Sequence, residues 1–115
     1  MKILFLDDNY YRCESFLRSY PGITRVVHTA SEAIAALHEQ RDGWVSIWLD
    51  HDLGGVAFEP SDTNSGMEVV RHMVKNPVET GAVVIHSWNI PAAQRMASEL
   101  RKAGYVVRQI PFGGE

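Results

Sequence analysis

The chain is read as one α/β domain, a three-layer sandwich in which a five-stranded parallel sheet carries helices on both faces. Three observations predict it. Short apolar runs such as Lys2–Leu6, Val45–Leu49 and Ala82–Ile85 alternate with segments whose apolar residues recur at helical spacing. The runs are continuously apolar rather than alternating, as in strands buried on both faces. Each of these three runs ends in a polar cluster, Asp7-Asp8-Asn9, Asp50-His51-Asp52 and His86-Ser87-Trp88-Asn89. Parallel strands whose carboxyl ends open onto a crevice deliver side chains in this way.

Lys2–Leu6 is the first strand, and Asp7-Asp8-Asn9 suits a strand end followed by a helix cap, so that one of Asp7 and Asp8 is expected to cap. Cys13, Phe16, Leu17 and Tyr20 share one face of a helix over Tyr10–Tyr20, which Pro21-Gly22 stops. Arg25–His28 is a second, shorter strand. Thr29 with Glu32 offers a capping box, or Ser31 alone a cap, for a helix containing Ile34, Leu37 and interleaved alanines. Asp42-Gly43 breaks it ahead of the Trp44–Asp50 strand, in which Trp48 is assigned to the core. Gly54 to Gly66 has little periodicity and reads as a long loop, a feature that is often functional in compact domains. Ser65 with Glu68 gives another capping box for a helix faced by Met67, Val70 and Val74 and ended by Asn76-Pro77. Ala82–Ile85 is the fourth strand. Asn89 caps a helix with Pro91 in its first turn and Ala93, Met96, Ala97 and Leu100 on one face, and Tyr105–Ile110 is the fifth strand.

Length and composition limit the rest. The 115 residues fit a single domain over 1–115, and 45% hydrophobic content supports a real core. A formal charge of -3 gives no broad reason to bind nucleic acid or an acidic membrane, so no extended nucleic-acid surface is expected. A phosphate-bearing ligand therefore needs a metal or a few well-placed donors. The lone Cys13 excludes an internal disulfide and is assigned to the first helix as a small apolar residue. The N-terminal apolar run reaches Asp7 too soon for a signal peptide, and no stretch is long enough to span a bilayer. A cytoplasmic location is expected.

In strand order 2-1-3-4-5 the reversal point lies between the first and third strands, which sets Asp7 and Asp8 beside Asp50. Clustered carboxylates call for a hard, oxygen-liking cation. Imidazole suits acid–base work near neutral pH and also binds softer ions such as manganese or zinc, which makes His51 and His86 the sharper clues. Each residue has a plainer reading too. The histidines could be loop or packing residues, Ser87 a turn hydroxyl and Asn89 only a helix cap. Asp52 could contribute its backbone carbonyl alone. Gly54-Gly55 could let backbone approach a ligand, and Trp88 at the rim could stack on a base. His28, His38 and His72 are read as structural or surface residues.

Nearly the whole chain resembles the receiver domain of two-component response regulators. The resemblance matches the family's acidic pair to Asp7 and Asp8, its phospho-accepting aspartate to Asp50 and its switch hydroxyl to Ser87. It implies a flavodoxin-like sheet and a divalent cation held by the acids. The departures are specific. Ile110-Pro111 stands where receivers carry a lysine-proline pair, the fifth helix is missing, and His51, Asp52, His86 and Asn89 are extra. Leu49-Asp50-His51-Asp52-Leu53 and His86-Ser87-Trp88-Asn89 instead resemble the receiver-like cyclic-phosphate-processing family.

That resemblance implies a metal-dependent phosphoesterase acting on a 2',3'-cyclic phosphate RNA end or a cyclic nucleotide. Asp7, Asp8, Asp50 and Asp52 are the candidate ligands of a divalent ion, magnesium or manganese ahead of zinc. Asp50 is left open as nucleophile or ligand. His51 or His86 activates water or protonates the leaving oxygen, and Ser87, Trp88 and Asn89 are the substrate-binding candidates. The alternative is a non-catalytic, degenerate receiver that binds a protein or nucleotide. A homodimer through the flank lacking the fifth helix would cover that flank.

Overall fold

The computed structural model describes residues 1–53 and 64–111. Gly54-Gly55, most of the expected loop and the last four residues lie outside the described part. The elements run β1 (Lys2–Leu6), α1 (Tyr10–Ser19), β2 (Thr24–Val27), α2 (Ala30–Glu39), β3 (Trp44–Leu49), α3 (Gly66–Lys75), β4 (Thr80–Ile85), α4 (Ile90–Lys102) and β5 (Val107–Gln109). All strand pairs are parallel and their order is β2-β1-β3-β4-β5.

Alternate residues of the strands feed two cores, because successive side chains point to opposite faces. Leu4, Leu6, Ile47, Leu49, Val83 and Ile85 pack with the buried faces of α2, α3 and α4. On the other face Ile3 and Phe5 meet Cys13 and Phe16 of α1, with Trp48 and Val26 packed alongside. Trp48 is half-buried and Cys13 fully buried, both within apolar clusters. The described part contains four helices, and no helix in it is long and apolar enough to cross a membrane.

Register positions the polar clusters. Leu6 lies opposite Leu49, and Leu49 opposite Ile85, so the three strands end level. The ladder then continues one residue further: Asp7 donates its N–H to Val27, Asp50 to Leu6 and His86 to Leu49. The backbone of the first residue in each cluster is thus fixed as firmly as in a strand interior, while its side chain stands at the edge of the sheet.

Several local expectations change. Asn9, rather than Asp7 or Asp8, caps α1, its side chain accepting from the Arg12 N–H at 3.0 Å. The Asp7 carboxylate instead accepts the Asn9 N–H at 2.9 Å and pairs with the Arg12 side chain. The Thr29–Glu32 capping box forms in full. Ser65 occupies the cap position of α3 without capping it: its backbone bridges to Asp52, and its buried hydroxyl has no hydrogen-bond partner among the described residues. Glu68 pairs with Arg71 instead of closing a box. β5 is shorter than expected, since the Tyr105 hydroxyl donates to the Met73 carbonyl and accepts from the Val78 N–H, which turns this residue toward α3.

Candidate functional site

At the centre of the sheet edge stand three carboxylates. Asp7, Asp8 and Asp50 each offer an oxygen, and these oxygens lie within 4.8 Å of one another. Asp7 is completely buried and Asp50 nearly so, whereas Asp8 is half-buried. The Asp7 carbonyl is gripped by the Cys13 thiol and the His28 ring, at 3.4 and 3.0 Å, which gives His28 a structural role. Asp50 Oδ1 accepts the His51 N–H at 2.8 Å. Burial, reinforced by the charge of Asp7, pushes the Asp50 carboxyl up to about 7. A carboxylate cluster this dry is unstable without positive charge beside it.

Part of that charge comes from Arg12, which composition and spacing did not single out. It is the third residue of α1, and its guanidinium forks onto Asp7, Nε to Oδ2 at 2.6 Å and Nη2 to Oδ1 at 2.8 Å. Nη2 is also 3.7 Å from Asp50 Oδ2. The sequence did hold a signal: a strand-end aspartate followed five residues later by an arginine in the first turn of the next helix.

His86 lies deeper. Its ring stacks on Phe5 with centroids 4.8 Å apart, Nε2 is 3.1 Å from the Leu6 carbonyl, and Nδ1 is 3.6 Å from Asp7. Complete burial holds its pKa down at about 4 despite the pull of Asp7, so the ring is neutral near pH 7. The neutral ring donates from Nε2 to a strand carbonyl, so Nδ1 carries no proton for the Asp7 carboxylate, and His86, stacked on Phe5, packs beneath the cluster.

His51 stands in a second group. Its Nδ1 is 2.7 Å from Asp52 Oδ1, and that oxygen also accepts from Asn89 Nδ2 at 3.1 Å. Asn89 uses its other side-chain atom, Oδ1, to cap α4 at Ala92. Cap and dyad support are thus the two ends of one amide. A carboxylate on Nδ1 fixes the proton there and makes Nε2 the basic nitrogen.

The structure therefore divides the sequence-predicted residues. Asp7, Asp8 and Asp50 come together, joined by Arg12 and backed by His86. His51, Asp52 and Asn89 form the adjoining group, linked to the first through the Asp50–His51 peptide. The Asp52 carboxylate faces His51 and Asn89 and is not one of the clustered acids, because the chain turns at Asp50 and the Asp52–Ser65 bridge draws the next residues aside. Ser87 is buried, its hydroxyl accepting the Asn89 N–H at 3.0 Å as a turn hydroxyl does. Trp88 is 63% exposed at the rim.

The donor set suits a hard divalent ion. Three carboxylates face one guanidinium, all the gathered side-chain donors are oxygens, and neither imidazole belongs to the cluster. This favours magnesium or manganese over zinc.

Comparison with known structures returns receiver domains. A CheY-like receiver domain from Methylobacillus flagellatus superposes with a TM-score of 0.66 at 21% identity, covering 96% of this chain and 85% of that one. A response regulator receiver protein from Pseudomonas putida gives 0.61 at 18% identity, covering 96% and 88%. NtrX from Brucella abortus gives 0.57 at 25% identity over 96% of this chain but only 24% of its own length, so the same fold occurs there within a larger protein. No curated protein matches the chain. Residues 2–102 match the family described as cyclic-phosphate processing receiver domain.

Proposed function

Because the chain belongs to the cyclic-phosphate processing receiver family, we propose that it is a metal-dependent phosphoesterase that opens a cyclic phosphate. The observation that carries the proposal is the His51–Asp52 dyad at 2.7 Å, one peptide bond from the clustered carboxylates. A site for binding alone has no use for a histidine whose tautomer is fixed by a carboxylate.

Asp7, Asp8 and Asp50 hold the divalent ion. When bound, this ion offsets the charge of the phosphoryl oxygens. Asp52 holds the proton of His51 on Nδ1, and Asn89 holds Asp52. Hydrolysis forms one bond from a water oxygen to phosphorus and breaks one phosphorus–ribose oxygen bond. Nε2 of His51 takes the water's proton and passes it to the released ribose oxygen, giving a phosphomonoester and a hydroxyl and returning His51 to its neutral form. His86 packs against Phe5 beneath Asp7. Ser87 and Asn89 act on the substrate only through the turn they hold, and Trp88 offers an exposed indole on which a base stacks.

The substrate class is a 2',3'-cyclic phosphate RNA end or a cyclic nucleotide, and the setting is cytoplasmic. Among described elements only α1 covers its face of the sheet, and a second copy packing there is the proposed dimer.

The test is phosphomonoester release from 2',3'- and 3',5'-cyclic nucleotides and cyclic-phosphate-ended RNA, with magnesium, manganese or zinc. Turnover is expected only with metal. His51→Ala should lower kcat by about 10²–10⁴-fold, the usual contribution of a positioned acid–base group, and Asp50→Asn should abolish metal-dependent turnover. Folded, metal-loaded wild-type protein that is silent across the panel would overturn the esterase and favour the non-catalytic binding module.

A further inference from the structure

The acid cluster already contains a cation of the chain's own. Arg12 forks onto Asp7 and reaches toward Asp50, and no other Lys or Arg is paired with either residue among the described residues. Its side chain is 31% exposed, whereas those of its two partners are 0% and 9% exposed. The guanidinium therefore closes the cluster from the solvent side, where a phosphate must enter. Nε and Nη2 make the fork onto Asp7, and Nη1 carries two further N–H groups that these bonds do not use.

Two ligands of opposite charge have to pass this residue. A divalent ion on Asp7 and Asp50 competes with the guanidinium for the same oxygens. A phosphate arriving at a cluster of three carboxylates needs positive charge, and the planar fork that fits a carboxylate also fits two phosphate oxygens. The carboxyl end of β5, Gln109-Ile110-Pro111, supplies no cation.

We propose that Arg12 is the phosphate-binding cation of this site, docked on Asp7 and Asp50 until a divalent ion takes those carboxylates and then paired with the phosphate. The inference rests on the cation site of the proposed function and adds the residue that links metal occupancy to anion binding. It makes the two ligands cooperative: the ion releases the guanidinium, and the phosphate keeps it from returning.

The test measures binding and no turnover, on the full chain, with Mn²⁺ alone, inorganic phosphate alone and each in the presence of the other. In wild-type protein, saturating Mn²⁺ should raise phosphate affinity. In Arg12→Ala, Mn²⁺ should bind tighter because its competitor is gone, while phosphate affinity in the presence of Mn²⁺ falls by about 10–100-fold, as expected for lost charge-assisted hydrogen bonds. Opposite signs for the two ligands are the signature. Arg12→Lys keeps the charge without the fork, folds under milder perturbation, and should leave Mn²⁺ affinity near wild type while weakening phosphate. A variant pair in which both ligands weaken together would make Arg12 a structural residue and overturn the proposal, as would unchanged phosphate affinity in both variants. Turnover with this signature absent refutes the role of Arg12 alone. The signature without turnover refutes the esterase and leaves Arg12 standing.

Discussion

At Gly66 there is no room for a side chain: a Cβ would lie 2.1 Å from the Asp50 carbonyl and 2.7 Å from the Met96 methyl. Its N–H also donates to the His51 carbonyl at 3.0 Å. Gly66→Ala must push back the backbone that carries the candidate site, and should cost about 3 kcal/mol or more by the usual range for overpacking, read as a lower urea midpoint. Asp52 argues the opposite case, since its role is chemical. Asp52→Asn should leave the urea midpoint close to wild type and lower kcat by about 10–100-fold, the usual effect of removing a group that orients a histidine, with KM little changed. Cys13 is buried and its thiol is pushed up to about 12, chiefly by burial. It should label with a disulfide reagent at pH 8 only as fast as the domain opens, and denaturant should accelerate the reaction.

Helix starts were the most legible elements, because a cap is a local pattern with a local cause. Thr29 and Glu32 form the box that their spacing predicts, and Asn89 with Pro91 opens α4 as expected. Thr29→Ala should cost about 1 kcal/mol, measured by denaturant unfolding. The Glu32 carboxyl is held below the ordinary glutamate range, first by the His28 N–H it accepts and then by that of Thr29. A carboxyl lowered in the folded state stabilises above its unfolded pKa and loses that contribution as pH falls through the folded value. The difference in stability between wild type and Glu32→Ala should therefore be present at pH 7 and vanish in strong acid. The Ser65–Glu68 pattern has the same spacing and failed, because the bridge of Ser65 to Asp52 is a contact between residues thirteen apart that spacing cannot report. The shortened β5 has the same kind of cause, a tyrosine hydroxyl held by α3.

For the molecule as a whole, the alternation of continuous apolar runs and amphipathic segments was enough to give a parallel sheet covered on both faces, and the resemblance to receivers supplied the strand order that the sheet has. Three strands ending in polar clusters brought the acids together, since level strand ends need only register. Sequence could not show which way each side chain turns after the strand ends. Asp52 turns to His51, His86 lies beneath Asp7, and Arg12 reaches across from α1, and each of these depends on packing among several elements. What emerges is an acid cluster with its own counter-ion, adjoining a histidine whose tautomer is set. The central claim is that this arrangement adds water to a cyclic phosphate. Hydrolysis of a 2',3'-cyclic nucleotide in ¹⁸O-water with manganese, under single-turnover conditions, tests it most directly. The account predicts a phosphomonoester carrying one ¹⁸O on phosphorus from the first turnover. Product whose phosphorus carries no solvent oxygen in that turnover, or no product from folded, manganese-loaded protein, would contradict it.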